Sequence, residues 1–210
     1  MVRQLAPMVL CAAFLATPLT AQRPGPLLDA SVGTKSGAQR AALSMWYAIV
    51  RRPGHWDLGV GARLSAYAGA PIGYTNRGTI QGNLTSTLTI DPAVYALNGG
   101  VFGELNLIRS VAVGANLDIV GLATGPTRTI GSLTAKPQVG SYFRYGSADH
   151  GALNSEFFLL VQVAKAVQLR AGMSHYVTNY SVEPSGAASA ASTRYQKFQT
   201  VPFVAVRWRP

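Results

Sequence analysis

Residues 56–68 alternate with period two. Trp56, Leu58, Val60, Ala62, Leu64, Ala66 and Ala68 are apolar, and Asp57, Gly59, Gly61, Arg63, Ser65 and Tyr67 fill the positions between. At about 180° per residue this makes the two faces of a strand, whereas at about 100° it would scatter apolar groups all round a helix. The same period recurs along the chain. Leu43, Met45, Tyr47 and Ile49 alternate with Arg40, Ala42, Ser44, Trp46 and Ala48. Val101, Gly103, Leu105 and Leu107 alternate with Phe102, Glu104, Asn106 and Ile108, and Val111 to Ile119 with Ala112, Gly114, Asn116 and Asp118. Phe157, Leu159, Val161 and Val163 alternate with Glu156, Phe158, Leu160 and Gln162, and Val167, Leu169, Ala171 and Met173 with Gln168, Arg170, Gly172 and Ser174. Val204, Val206 and Trp208 alternate with Phe203, Ala205 and Arg207. The weakest segment is the first, at 28–34. Pro202 also weakens the start of the last, because proline cannot donate to a ladder.

Connection lengths predict the topology. Three connections are tight (51–55, 109–110 and 165–166), and the others are longer (35–39, 69–100, 123–154 and 179–194). Strict alternation of short and long connections is what a membrane barrel shows, with short periplasmic turns and longer outer loops. The reading is an all-β, antiparallel, up-and-down transmembrane β-barrel of eight strands. Two further strand-like stretches, 84–90 and 138–146, would extend the hairpins above the membrane or raise the count to ten or twelve.

Composition turns the barrel inside out. Hydrophobic residues make up 48% of the 210-residue chain and charged residues only 12%, about half the share in ordinary soluble domains. No stretch is long and apolar enough to predict a transmembrane helix. A chain too poor in charge to coat a soluble surface and too interrupted to span as helices fits a barrel with a lipid-facing exterior. The polar face is rich in Gly, Ala and Ser with charges of both signs. Trp56, Trp208, Tyr47 and Phe157 fall on the apolar face as an aromatic girdle. Residues 1–21 read as a signal peptide: Arg3, then an apolar run from Leu5 to Ala16, then a cleavage site before Gln22. Residues 22–210 are the barrel domain. Cys11, the single cysteine, lies in the leader, so no thiol chemistry is expected of the mature chain.

The pattern WDLGVGARLSAYAG, a long loop, GELNLIRSVAVGANLDIVG, a second long loop, then HGALNSEFFLLVQVAKAVQLRAGMSHYV resembles the uncharacterised outer-membrane β-barrel proteins of Bacteroidota-like bacteria. That resemblance implies the fold and an outer-membrane location, reached by export to the periplasm, and brings no defined chemistry. It also implies a terminal aromatic read by the barrel-insertion machinery. Here Trp208 is followed by Arg209 and Pro210, a departure from that pattern.

The inward register carries Asp29, Asp57, Glu104, Asp118 and Glu156 with Arg40, Arg63, Arg170 and Arg207. An eight-stranded lumen is just wide enough to be filled by side chains, and buried charges must pair. Arg63, Glu104 and Asp118 are expected to meet near mid-barrel, with Asn106 and Asn116 filling gaps and Arg170 part of the same polar cluster. Leu105 is placed at the bilayer midplane, and Thr79 in a loop.

With the acids inside, the outer loops stay basic. Lys35, Arg77, Arg128, Lys136, Arg144, Arg194 and Lys197 face only Asp91, Asp149 and Glu183, a rim that attracts lipopolysaccharide and other outer-membrane lipid phosphates. Of three histidines, His175 follows Ser174, but neighbouring strand residues point to opposite faces, so a nucleophile–base pair is not expected; His150 would reach Ser174 only by an inward loop. The leading expectation is a non-enzymatic barrel with a plugged polar lumen, serving envelope structure or surface interaction through its loops. The alternatives are a narrow channel or conduit for small or apolar solutes, and a lipid A-modifying barrel enzyme. No cofactor, metal or nucleic-acid partner is expected, and a monomer is favoured.

Overall fold

The computed structural model describes residues 25–77, 87–142, 152–184 and 193–209, with only the backbone of Ser141. Thirteen strands cover them: β1 (Pro26–Lys35), β2 (Ala38–Arg52), β3 (Trp56–Gly69), β4 (Ile72–Asn76), β5 (Thr87–Ile90), β6 (Ala93–Ile108), β7 (Val111–Thr124), β8 (Arg128–Ile130), β9 (Leu133–Pro137), β10 (Gly140–Tyr142), β11 (Leu153–Ala164), β12 (Val167–Pro184) and β13 (Thr193–Trp208). Eight form the barrel wall. β1, β2, β3, β6, β7, β11, β12 and β13 pair in that order, all antiparallel, and β13 pairs back onto β1 to close the sheet. Closure leaves no unpaired edge around the wall.

The other five strands lie at the loop end. Stretches 84–90 and 138–146 do not add staves. Residues 87–90 form β5, which hairpins with β4, and 140–142 form β10, which pairs with the upper part of β7; Gln138 and Val139 lie between β9 and β10, and 84–86 and 143–146 lie outside the described set. β12 and β13 run on above the rim and carry a hairpin on each edge. β4–β5 attaches to β13 through Thr75 and Asn76, and β8–β9 attaches to β12 from Leu133 to Pro137. Arg128 Nε donates to the Asp91 carbonyl at 3.3 Å, drawing the far edges of the two hairpins together.

Three expectations change. The first outer connection is not long: Ser36 and Gly37 alone join β1 to β2, both at positive φ (50° and 84°). That is the geometry of a type I′ hairpin turn, whose twist matches the strands it joins. Strict short–long alternation therefore fails at its first member, although the three turns at the opposite end are tight. Leu105 pairs with Trp56, the first residue of β3, and so lies toward the turn end; Leu64, between Leu43 and Leu97, is nearer mid-height. Pro202 does not mark a strand end. It sits one residue beyond Gly33–Phe203, the last pair of β13 with β1, where no ladder needs its missing N–H on that side among the described residues.

The alternation sorts side chains as a reversed barrel. Leu43, Met45, Leu58, Leu64, Leu97, Val204 and Val206 are exposed on the outer wall, while Arg40, Arg63, Arg170, Arg207, Asp118 and Glu156 are buried inside. Bulges at Ile49 and Ile119 shift the register locally, so that Val50 and Val120 return to the outer face. The inward glycines have a packing reason. A Cβ on Gly59 would lie 2.5 Å from the Phe102 ring and one on Gly114 2.6 Å from the Phe158 ring, so these glycines make room for inward aromatics. Residues 1–24, with the expected leader and Cys11, lie outside the described residues, as do Thr79, Arg144, Asp149 and His150.

Candidate functional site: the charged lumen

Every charged residue read as inward is buried. They form one chain of alternating sign down the barrel. At its loop end, Arg63 Nη1 donates to Asp118 Oδ1 at 2.9 Å, and Nη2 donates to Asn116 Oδ1 at 2.6 Å and approaches Glu156 Oε2 at 3.2 Å. Asp118 also accepts from Asn98 Nδ2 (2.7 Å) and the Asn154 backbone N–H (3.1 Å). Glu156 is the hub. It takes Arg40, Arg63 and Arg170, the last at 2.9 Å, and accepts from Asn116 and Asn154. From there the chain continues through Arg170 to Asp29, through Arg207 (3.3 Å from Asp29) to Glu104, and through Arg209 to Asp57 at 3.2 Å. Arg51 closes it on Asp57 at 3.1 Å.

Aromatic rings floor the guanidiniums. Arg63 lies 5.4 Å from the Trp46 ring centroid, and Arg170 lies 3.8 Å from that of Phe158. A planar guanidinium can bond carboxylates at its edge and stack on a ring with its face, so the inward Trp46, Phe102, Phe158 and Phe203 fill space without competing for the acids. Among the described residues the buried set holds five carboxylates and five guanidiniums, counting Arg209. Balanced pairing of this kind is what a buried charge requires.

The expected cluster is assembled only in part. Arg63, Asp118 and Asn116 meet, and Arg170 joins them through Glu156. Glu104 does not reach Arg63: it lies opposite Asp57, toward the turn end, and takes Arg207 instead. Asn106 is lower still, half-exposed, with its backbone N–H donating to the His55 carbonyl at 2.7 Å. Strand tilt separates residues that look adjacent when strands are aligned by number. Asn98 and Asn154 were missed because both fall in stretches read as loops. The outward–inward alternation Tyr95-Ala96-Leu97-Asn98 was the available signal.

On the outer wall, Tyr47, Phe157 and Trp208 are exposed and Trp56 is half-buried. Trp208 and Trp56 stand at the turn end. Tyr95 and Phe198, also exposed, add aromatics toward the loop end that the sequence reading missed.

Ser174 and His175 point apart. Ser174 is fully buried and donates to Asn154 Oδ1 at 2.7 Å, whereas the exposed His175 bonds Thr200 Oγ1 at 2.7 Å. Among the described residues no cluster of His, Asp and Glu is placed to hold a metal ion.

Above the charged lumen lies a second core. Tyr67, Tyr74, Tyr176, Tyr180, Tyr195, Ile90, Val94 and Val182 are buried together. Tyr67 stacks on Tyr176 at 4.5 Å, and Tyr74 meets Tyr180 edge-on at 5.2 Å. The Tyr74 hydroxyl bonds Thr178 at 2.9 Å, and the Tyr180 hydroxyl accepts from the Ala93 N–H at 2.9 Å. Burial pushes the Tyr74 phenol above its ordinary value.

Fold and site together define a class: a closed, eight-stranded antiparallel barrel with an apolar outer wall and a charge-paired interior. Among solved structures, the crystal structure of Neisserial surface protein A (NspA) is similar, with 14% sequence identity over 88% of this chain and 96% of that one and a TM-score of 0.45. No family model matches the chain. No curated protein matches it either.

Proposed function

We propose that this chain is a non-enzymatic transmembrane barrel of a bacterial outer membrane, with a closed lumen, acting in envelope structure or surface contact through its basic loop end. The observation that carries the reading is the reversal of polarity. Large aliphatic side chains cover the outside of the eight staves, and Asp29, Arg40, Arg63, Glu104, Asp118, Glu156, Arg170 and Arg207 turn inward and pair. In water that arrangement would expose an apolar band around the whole molecule, far beyond the patches a soluble monomer tolerates. In a bilayer it removes the band from water, and the closed sheet pairs its backbone from strand to strand, as a spanning barrel requires. Lys35, Arg77, Arg128, Lys136, Arg194 and Lys197 stand at the loop end against Asp91 and Glu183 among the described residues, which favours anionic lipid and lipopolysaccharide phosphates as its contacts. The continuous ion-pair chain along the interior favours a closed lumen over a conduit.

Gel migration of the outer-membrane fraction with and without boiling tests the fold in its membrane. A folded barrel migrates differently from the boiled chain, and identical mobility would overturn the reading. Single-channel recording on refolded protein tests the closed lumen: no steady conductance is expected, and a stable open level would refute closure. Lipid A from cells with and without the protein should have the same mass spectrum; a new acyl or phosphate species would make it an enzyme.

A further inference from the structure

We propose that the apolar outer belt is stepped, so that the barrel holds the loop-side lipid leaflet thin along β11, β12 and β13; this rests on the membrane reading. On β6 and β7 the outward side chains stay apolar far up the wall. They run from Leu105 to Tyr95 on β6 and from Val111 to Leu122 on β7, past Gly99, Gly103 and Ala115. At about 3.3 Å per residue and a tilt of about 40°, the run from Val111 to Leu122 rises about 25 Å, the height of an ordinary barrel's apolar band.

The belt is lower on the other side. On β12, Val167, Leu169, Ala171 and Met173 are followed on the outer face by exposed His175. On β13, Trp208, Val206, Val204 and Pro202 are followed by Thr200, and on β11 the run through Val161, Leu159 and Phe157 is followed by Ser155. On the same arithmetic each of these runs rises only about 15 Å. Val161 pairs with Val111, and Val167 with Trp208, so tall and short runs start from the same end. Ser155, His175 and Thr200 are register partners in one row across the three strands. His175 bonds Thr200 Oγ1 at 2.7 Å, and the Ser155 hydroxyl donates to the His175 carbonyl at 3.4 Å. Bare wall does not resume directly above this row on β11 and β12. From Tyr176 to Tyr180 every residue of β12 is buried on both faces, and Leu153 and Asn154 of β11 are buried likewise.

An ionisable side chain facing hydrocarbon is costly, so the lipid chains end below His175. Tilting the barrel moves both ends of the belt together and leaves the difference between its sides in place. The lipid therefore follows the step, with its loop-side leaflet dipping along β11 to β13. The partner this face fits is a leaflet of shorter or compressed acyl chains.

The test is refolding into dilauroyl- and dioleoylphosphatidylcholine vesicles, with the ratio of folded yield in the thin to the thick bilayer read by heat-modifiable migration. Ser155→Leu, His175→Leu and Thr200→Leu together raise the short side by one row and should lower that ratio about threefold or more. Thr124→Leu, just above the tall side, should leave it within about twofold of the parent. A triple variant with the parent's ratio, or Thr124→Leu protein that shifts it as far, overturns the step. All four positions lie on the outward face, away from the ion-pair chain, and migration in dodecylmaltoside micelles checks that each variant still forms the barrel. A parent chain that folds in neither vesicle overturns the membrane reading and the step with it. A parent that inserts, matched by its triple variant, overturns the step alone.

Discussion

Below its rim the barrel is charged inside and apolar outside; above the rim the order is inverted. The inward face of β12 runs from Arg170 and Ser174 directly into Tyr176, Tyr180 and Val182 without leaving its strand. Outside, Leu169 and Met173 give way on the neighbouring hairpins to exposed Thr75, Thr87, Thr89 and Lys136. The two regions share backbone, pairing and alternation, so none of these sets the polarity. What differs is the surroundings the outer face must satisfy. Where the outer face is apolar, polar groups can be placed only within. Where the outer face is polar and wet, hydrophobic burial returns to the interior and holds the β4–β5 and β8–β9 hairpins onto the wall.

The sharpest way to break this contrast is at Glu156. Replacing it with Leu strips Arg40, Arg63 and Arg170 of their shared carboxylate in a dry interior. Removing one partner of a buried ion pair costs about 3–5 kcal/mol, and urea unfolding in phospholipid vesicles should show a loss of that size. A loss below about 1 kcal/mol would mean that the lumen is wet and the plug reading is wrong.

The outer wall is tested next. Leu64→Arg, near mid-height, should destabilise the vesicle-inserted protein by about 2–4 kcal/mol, whereas Leu105→Arg, beside Trp56 at the turn end, should cost only about 0–1 kcal/mol because the penalty depends on depth. Equal costs at the two sites would remove the assignment of the wall to lipid.

The smallest effect belongs to the tyrosine core. Tyr74→Phe deletes the hydroxyl bonded to Thr178 and should cost about 0.5–1.5 kcal/mol, visible as faster protease cutting at the loop end with the barrel intact. This core is also alkali-sensitive, with a defined sign. Burial raises the Tyr74 phenol, so the folded state keeps a proton that the unfolded chain releases near pH 10. Its stabilisation is complete below about pH 10 and declines as the pH rises further. Alkaline titration of loop protection should show that decline blunted in Tyr74→Phe; an unchanged profile would assign it to other groups.

Much of the lumen was legible because strand alternation is strict: one inward position identifies every second residue after it. That rule placed Asp29, Asp57, Glu104, Asp118 and Glu156 inside with their arginines. It could not say which acid meets which arginine. Glu104 and Arg63 share a face, yet strand tilt offsets them along the barrel axis. Nor could it separate the two cores, since Tyr67 and Arg63 occupy the same register of β3 a single turn of alternation apart from Ser65. The loop end was the least readable. Its strands are three to five residues long, too short for a period to emerge, and β4, β5, β8 and β9 exist because β12 and β13 offer them edges to pair with.

By itself the sequence determined the period-two pattern, the eight staves, the tight turns at one end and the scarcity of charge that turns the barrel inside out. These are local or compositional, and each follows from the geometry of a single strand. The tertiary structure alone decided the ion-pair partners, the hub at Glu156, the inward aromatics fitted over Gly59 and Gly114, the tyrosine core, and the contact by which Arg209 folds back onto Asp57. Each depends on strand stagger and closure, which bring together residues up to 178 positions apart and leave no trace in the local pattern of the chain.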